Sequence, residues 1–247
     1  MKFKKLIFYI LIILSVFLIY KLTYVEKENY VVLGDSLAVG QNPYGNEDYG
    51  YSDYLADYLL ENNRLNSYIS EFANRDYKIN NILEDINNNK NVVSNGQKIN
   101  IRSSLRESTL VTLSIGFNDF IELIDKPIVE KNSINKLKIK NNIDIVLNEL
   151  DVLISSIKKY AKNDIYVIGY YNPYPYFETY RKDIEEVIEY ADKGLEYICF
   201  ENKVKFIKIS DVFENKLEFF SNSLDRHPNI SGYERIFIKI RDQLYKF

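Results

Sequence analysis

From Tyr30 onward the chain alternates two hydrophobic rhythms, and this alternation limits the fold more than any other feature. Tyr30-Val31-Val32-Leu33 is a short β-branched apolar run closed by Gly34, the pattern of a buried strand. Apolar residues then fall at Tyr51, Tyr54, Leu55, Tyr58 and Leu59, which is the spacing of one helix face between Tyr51 and Leu60. The pair recurs four times. Ser67 to Phe72 reads as a weaker strand, and Ile79, Ile82, Leu83 and Ile86 mark the helix after it. Thr109 to Ile115, ending at Gly116, is a strong strand, and Ile143 to Tyr160 a long helix. Ile165 to Gly169 and Val204 to Ile209 are further strands, followed by helices over Glu178 to Phe200 and Ser231 to Leu244, the last capped by Ser231. Asn87-Asn88-Asn89 reads as loop. Five buried strands separated by helices imply an α/β fold with a parallel sheet covered on both faces. In such sheets ligands bind at the carboxyl ends of the strands, so the residues just after each strand carry the functional information.

A length of 247 residues suits one sizeable domain. Thirty-two Lys and Arg against 35 Asp and Glu leave a net charge of −3. No broad basic surface is available, which argues against a nucleic-acid partner. A single cysteine, Cys199, excludes an intramolecular disulfide, and one Cys with one His cannot make an ordinary zinc site, so no metal or cofactor is expected. His227 is the sole imidazole for proton transfer near neutral pH.

The amino terminus has a different character. Met-Lys-Phe-Lys-Lys opens the chain, and Leu6 to Tyr20 then carries no charge. A basic start before an apolar run is the pattern of an export signal. The run ends in bulky residues and has no cysteine for a lipid, which favours an uncleaved signal anchor over residues 1–22, the alternative being secretion after cleavage. With Phe3 and Leu22 it reaches the lower limit of about 17 residues for a membrane span. Lys2, Lys4 and Lys5 place the amino terminus in the cytoplasm and the domain outside the cell membrane. Residues 23–29 read as a short stalk and 30–247 as the domain.

Three short motifs fall at the expected carboxyl edge of the sheet. Gly34-Asp35-Ser36-Leu37 follows the first strand, Gly116-Phe117-Asn118-Asp119 follows the third, and Asp225-Arg226-His227-Pro228-Asn229 precedes the last helix. Taken singly, Ser36 also suits a helix cap, Asn118 a turn and His227 a surface loop. Their order and placement join them into one constellation.

On these residues the chain resembles the SGNH (GDSL-type) hydrolases, in their bacterial lipase/acylhydrolase-like branch, over about residues 30–247. The resemblance implies a three-layer α/β/α sandwich, flavodoxin-like, with a five-stranded parallel sheet. It gives Ser36 the nucleophile's role, Asn118 that of a side-chain oxyanion donor, and His227, with Gly232-Tyr233 following, that of the base. Two positions depart from the family pattern. Asp76, in Glu71-Phe72-Ala73-Asn74-Arg75-Asp76-Tyr77, stands where the family has a glycine whose N–H joins the oxyanion hole. Leu224 holds the usual place of the acid, three before the histidine. Asp225, two before it, is the nearest acid, and Asp211 is the alternative.

A serine hydroxyl needs a base within hydrogen-bond reach, and an acyl carbonyl under attack needs oxyanion donors, here the N–H groups of Ser36 and Asp76 and the Asn118 amide. The expected activity is a serine esterase or acylhydrolase, cleaving an acyl or O-acetyl ester of a small molecule, lipid or polysaccharide through a Ser-His-Asp triad and an acyl-enzyme. A catalytically weak carbohydrate- or lipid-binding module is the alternative. A flavodoxin-like nucleotide binder fits less well, because Leu37-Ala38-Val39 offers phosphate few donors. Asp35, Asn172, Tyr174 and Tyr176 are candidate pocket residues. The aromatic loop Tyr170 to Phe177 has two readings, a wall of the substrate pocket or a loop packed on itself.

Overall fold

The computed structural model describes residues 13–15, 25–130 and 133–245. Strands β1 (Glu28–Gly34), β2 (Leu65–Ile69), β5 (Leu110–Ser114), β6 (Asp164–Ile168) and β7 (Lys205–Ile207) form one sheet in the order β2-β1-β5-β6-β7. Every pairing in it is parallel. Strands β3 (Asn91–Ser94) and β4 (Gln97–Asn100) make a separate antiparallel hairpin.

The period-two alternation of the strands explains the three layers. Val31, Leu33, Val111, Leu113, Ile165 and Val167 point to one face, where they pack under α2 (Ile79–Asn87), α3 (Ile101–Glu107), α6 (Lys136–Lys158) and α7 (Arg181–Asn202). Tyr30, Val32, Leu110, Tyr166, Ile168 and Ile207 point to the other, under α1 (Tyr51–Glu61) and α9 (Ile230–Leu244). Short helices α4 (Phe117–Phe120), α5 (Glu122–Glu130) and α8 (Ser210–Phe213) lie in the connections. This is the α/β/α sandwich with five parallel strands that the sequence pattern and the resemblance imply.

Several boundaries differ from expectation. The second strand ends at Ile69, not Phe72, because the chain turns there, with the Ala73 N–H donating to the Ser70 carbonyl. Ser231 is not the cap of α9. Asn229 is, its side-chain oxygen accepting from the Gly232 N–H at 3.1 Å. The β3–β4 hairpin was not expected, although its Asn95-Gly96 turn is a direct sequence signal. Both residues adopt positive φ, 49° and 76°, as a two-residue hairpin turn requires. Strand β1 opens at Glu28, inside the stretch expected as stalk. The expected anchor lies outside the described residues, apart from 13–15. Among the described residues no helix is long and apolar enough to cross a membrane.

Candidate active site

The site begins where β1 ends. Gly34 has φ +150°, and a Cβ there would stand 2.2 Å from the Ser114 carbonyl oxygen, so only glycine lets β1 run this close to β5. A run of turns over residues 35–40 follows, not a helix, so Ser36 caps nothing. The turn is pinned by the Asp35 N–H donating to the Ser114 carbonyl at 2.9 Å and by Asp35 Oδ1 accepting from the Leu37 N–H at 3.1 Å. Asp35 is buried, and burial pushes its carboxyl up to about 7. The Ser36 N–H donates to no acceptor among the described residues.

His227 arrives from the loop before α9, 191 positions later. Its Nε2 is 3.0 Å from Ser36 Oγ, and its Nδ1 is 2.8 Å from Asp225 Oδ1. The same carboxylate oxygen accepts from the His227 backbone N–H at 2.8 Å. Burial alone would raise the Asp225 carboxyl, but the side-chain and backbone hydrogen bonds from His227 outweigh it and hold the group below the ordinary carboxylate range. An ionised carboxylate only accepts, so the ring carries its proton on Nδ1 and Nε2 is left as acceptor for the Ser36 hydroxyl. Ser36 is 9% exposed and His227 4%, so the pair meets almost out of water. Asp211, the other candidate acid, lies at the surface in an ion pair with Lys239 and does not meet the ring.

The His227 loop is held from several directions. Asn229 Nδ2 donates to the Glu218 carbonyl at 2.8 Å, and the Tyr171 hydroxyl donates to the Arg226 carbonyl at 2.8 Å. Arg226 Nη1 meets Asp125 Oδ2 at 3.1 Å. Gln41 packs beside the ring, its Nε2 3.4 Å from His227 Nδ1, but with the ring proton on Nδ1 these are two donors and no hydrogen bond joins them. The motifs gave no role to Tyr171, Arg226 or Gln41. Only Arg226, beside the histidine, stood within one.

The oxyanion side is arranged differently from expectation. The Asn118 amide donates to the Tyr77 carbonyl at 3.0 Å and to the Arg75 carbonyl at 3.2 Å, so both its hydrogens tie α4 to the 74–78 loop. The Asp76 N–H donates to Asn74 Oδ1 at 3.1 Å, and its side chain is exposed, 4.0 Å from Arg75 Nε. Asp76 therefore serves its own turn and brings no free donor. A side-chain acceptor two residues back has captured the N–H that the resemblance gives to the oxyanion hole.

Of the expected pocket residues, Asp35 lines the small cleft that Ser36 and His227 share, together with Tyr170, Tyr171 and Arg226. Asn172, Tyr174 and Tyr176 do not line it. The Tyr174 hydroxyl donates to Asp125 Oδ1 at 2.7 Å, and the Tyr176 hydroxyl to the Phe220 carbonyl at 2.8 Å. Asn172 Oδ1 accepts from the Tyr174 N–H at 2.9 Å and borders a separate cavity of about 330 Å³. The Tyr174 and Tyr176 hydroxyls are thus taken up by partners outside the loop, and of the loop's tyrosines only Tyr170 and Tyr171 wall the cleft. Among the described residues no group of three or more His, Cys, Asp or Glu is placed to hold a metal ion.

The family described as GDSL-like lipase/acylhydrolase matches residues 32–235. Among solved structures, the lipase Lip_vut3 from a goat rumen metagenome is 20% identical, with a TM-score of 0.66 over 86% of this chain and 95% of that one. An extracellular lipase from Streptomyces rimosus is 14% identical, with a TM-score of 0.66 over 87% and 99%. A mutant of Axe2, an acetyl-xylooligosaccharide esterase from Geobacillus, is 14% identical, with a TM-score of 0.64 over 89% and 95%. No curated protein sequence matches the chain.

Proposed function

The chain belongs to the GDSL-like lipase/acylhydrolase family and is a carboxylic ester hydrolase, and from that premise we propose that it works as a serine esterase through Ser36, His227 and Asp225. The observation that carries the reading is the unbroken relay from the Ser36 hydroxyl to His227 Nε2 at 3.0 Å and from His227 Nδ1 to Asp225 at 2.8 Å. In this mechanism His227 takes the Ser36 proton as Oγ attacks the ester carbonyl. Asp225 keeps the ring in the correct tautomer and stabilises the imidazolium. The oxyanion is met by the Ser36 N–H and by the Asn118 amide, which exchanges its longer bond, to the Arg75 carbonyl, for the new acceptor. Collapse of the tetrahedral intermediate releases the alcohol with the proton from His227. Water, deprotonated by the same ring, then frees the acid and restores Ser36.

The substrate is an acyl or O-acetyl ester of a small molecule, lipid or polysaccharide. The small cleft favours a short acyl group. The basic start and the uncharged run from Leu6 to Tyr20 support a single-pass anchor over residues 1–22 with this domain on the outer side of the membrane.

The test is hydrolysis of p-nitrophenyl acetate and its longer homologues. Ser36→Ala and His227→Ala are each expected to fall to the buffer rate, and Asn118→Ala to lose about 10²–10³ in kcat. Turnover that survives Ser36→Ala contradicts the assignment. The committed Asn118 amide favours one other reading, a weakly catalytic carbohydrate- or lipid-binding module, which absence of turnover in the folded wild type would support.

A further inference from the structure

Among the described residues Arg226 alone brings a permanent cation to the lining of the catalytic cleft. Its neighbours in the chain, Asp225 and His227, are joined to each other by two hydrogen bonds, and its own carbonyl accepts from the Tyr171 hydroxyl at 2.8 Å. The backbone that carries the guanidinium is therefore fixed from both sides. Its charge reaches the floor of the cleft. Burial pushes the Asp35 carboxyl up, and Arg226 is among the groups that pull it back.

The counter-ion stands elsewhere. Arg226 Nη1 meets Asp125 Oδ2 at 3.1 Å, and Asp125, on α5, does not line the cleft. From the cleft the cation is in view and the anion is not. The ion pair uses a single guanidinium nitrogen, and the other Asp125 oxygen accepts from the Tyr174 hydroxyl at 2.7 Å. Asp125 thus keeps a partner when the guanidinium turns toward a ligand. Both side chains of the pair are 28% exposed, open enough for a solute to reach and dry enough to strengthen a charge-assisted hydrogen bond. The alcohol part of an ester departs with the proton carried by His227, so it lies on the histidine's side of the cleft, where Arg226 is.

We infer that Arg226 is a specificity-determining residue, selecting esters whose alcohol part bears an anionic group, a carboxylate or a phosphate, close to the ester oxygen. The planar fork of a guanidinium matches either anion with two parallel hydrogen bonds. The inference rests on the esterase reading above and narrows its substrates to short-chain esters, O-acetyl esters among them, of acidic alcohols.

The test compares 3-acetoxybenzoate and 3-acetoxyphenyl phosphate with the neutral 3-acetoxybenzamide, three acetyl esters that differ only in the group meta to the ester oxygen. For at least one anion kcat/KM is expected to exceed that of the amide by about 10–100-fold, the worth of one hydrogen bond to a charged group, and the better anion names the source. Arg226→Gln is expected to bring this ratio close to one, and Asp125→Asn, which removes the competing carboxylate, to keep or raise it. Should Arg226→Gln not fold, judged by circular dichroism, Arg226→Lys takes its place, with a severalfold fall expected because a point charge lacks the fork. Binding is read without turnover. In calorimetry on Ser36→Ala the favoured acidic product, 3-hydroxybenzoate or 3-hydroxyphenyl phosphate, is expected to bind roughly tenfold or more tighter than 3-hydroxybenzamide. A ratio near one in the wild type, a ratio indifferent to the Arg226 variants, a ratio that Asp125→Asn abolishes, or equal binding of the three products overturns the inference. Absence of turnover on all three esters, with the tighter binding of the acidic product intact, overturns the esterase reading instead.

Discussion

Asp225 Oδ1 accepts from both the backbone and the ring of His227, so one carboxylate oxygen fixes the histidine's loop and its tautomer together. An amide at this position offers the ring a donor where it needs an acceptor. Asp225→Asn is therefore expected to lower kcat by about 10³–10⁴, as removal of a triad acid's charge does elsewhere. Asp211→Asn, at the surface beside Lys239, is expected to keep wild-type kinetics, and steady-state assays of the two variants separate the candidates. Ser36, His227 and Asp225 were legible in the sequence because short motifs place them just past strands and just before a helix. Asp76 was misread because a backbone donor's availability depends on the turn around it, and Asn74 Oδ1 occupies that N–H. Tyr174 and Tyr176 were misread because their hydroxyl partners, Asp125 and the Phe220 carbonyl, are more than forty positions away and leave no local signal.

Elements bring these residues together, and their ends matter more than their middles. Asn229 caps α9 and also donates to the Glu218 carbonyl and to Ser221 Oγ, so it ties the helix start to the histidine's loop. Asn229→Ala is expected to cost about 1 kcal/mol, lowering the thermal midpoint by roughly 2–4 °C. At the end of β1, Gly34→Ala brings a Cβ against the Ser114 carbonyl, and little or no soluble folded protein is expected, which circular dichroism checks. Asp192 on α7 is a quieter element-level feature. It is buried and accepts from the Tyr170 N–H through Oδ1. Burial pushes its carboxyl up to about 7. The folded state thus holds a proton that the unfolded chain releases above about pH 4, and the stability it contributes is lost as pH rises through about 7. Asp192→Asn is expected to gain on the wild type in thermal midpoint as pH goes from 5 to 8. A constant gap contradicts this. The strand and helix periods made all five strands of the parallel sheet legible, whereas boundaries set by turns and caps, such as Ile69 and Asn229, were not. The β3–β4 hairpin was missed because its strands are only four residues each, too short for a period to stand out beside the Asn95-Gly96 turn.

For the whole molecule, the balance of charge, the lone imidazole and the five-strand alternation bounded the answer before any motif was read. The family match spans residues 32–235, and the similar solved structures fix the sandwich at low identity. A chain begun at Val25 retains every strand of the sheet and is expected to hydrolyse soluble esters at the full-chain rate while no longer floating with liposomes. A truncated chain that still floats contradicts the anchor. The central claim is that the hydroxyl at the end of β1 is activated by the ring from the last loop. Mass mapping of a fluorophosphonate adduct tests it most directly. The account predicts one adduct, on the peptide carrying Ser36, formed at least a hundredfold more slowly in His227→Ala. An adduct on any other residue, or a labelling rate indifferent to His227, contradicts it.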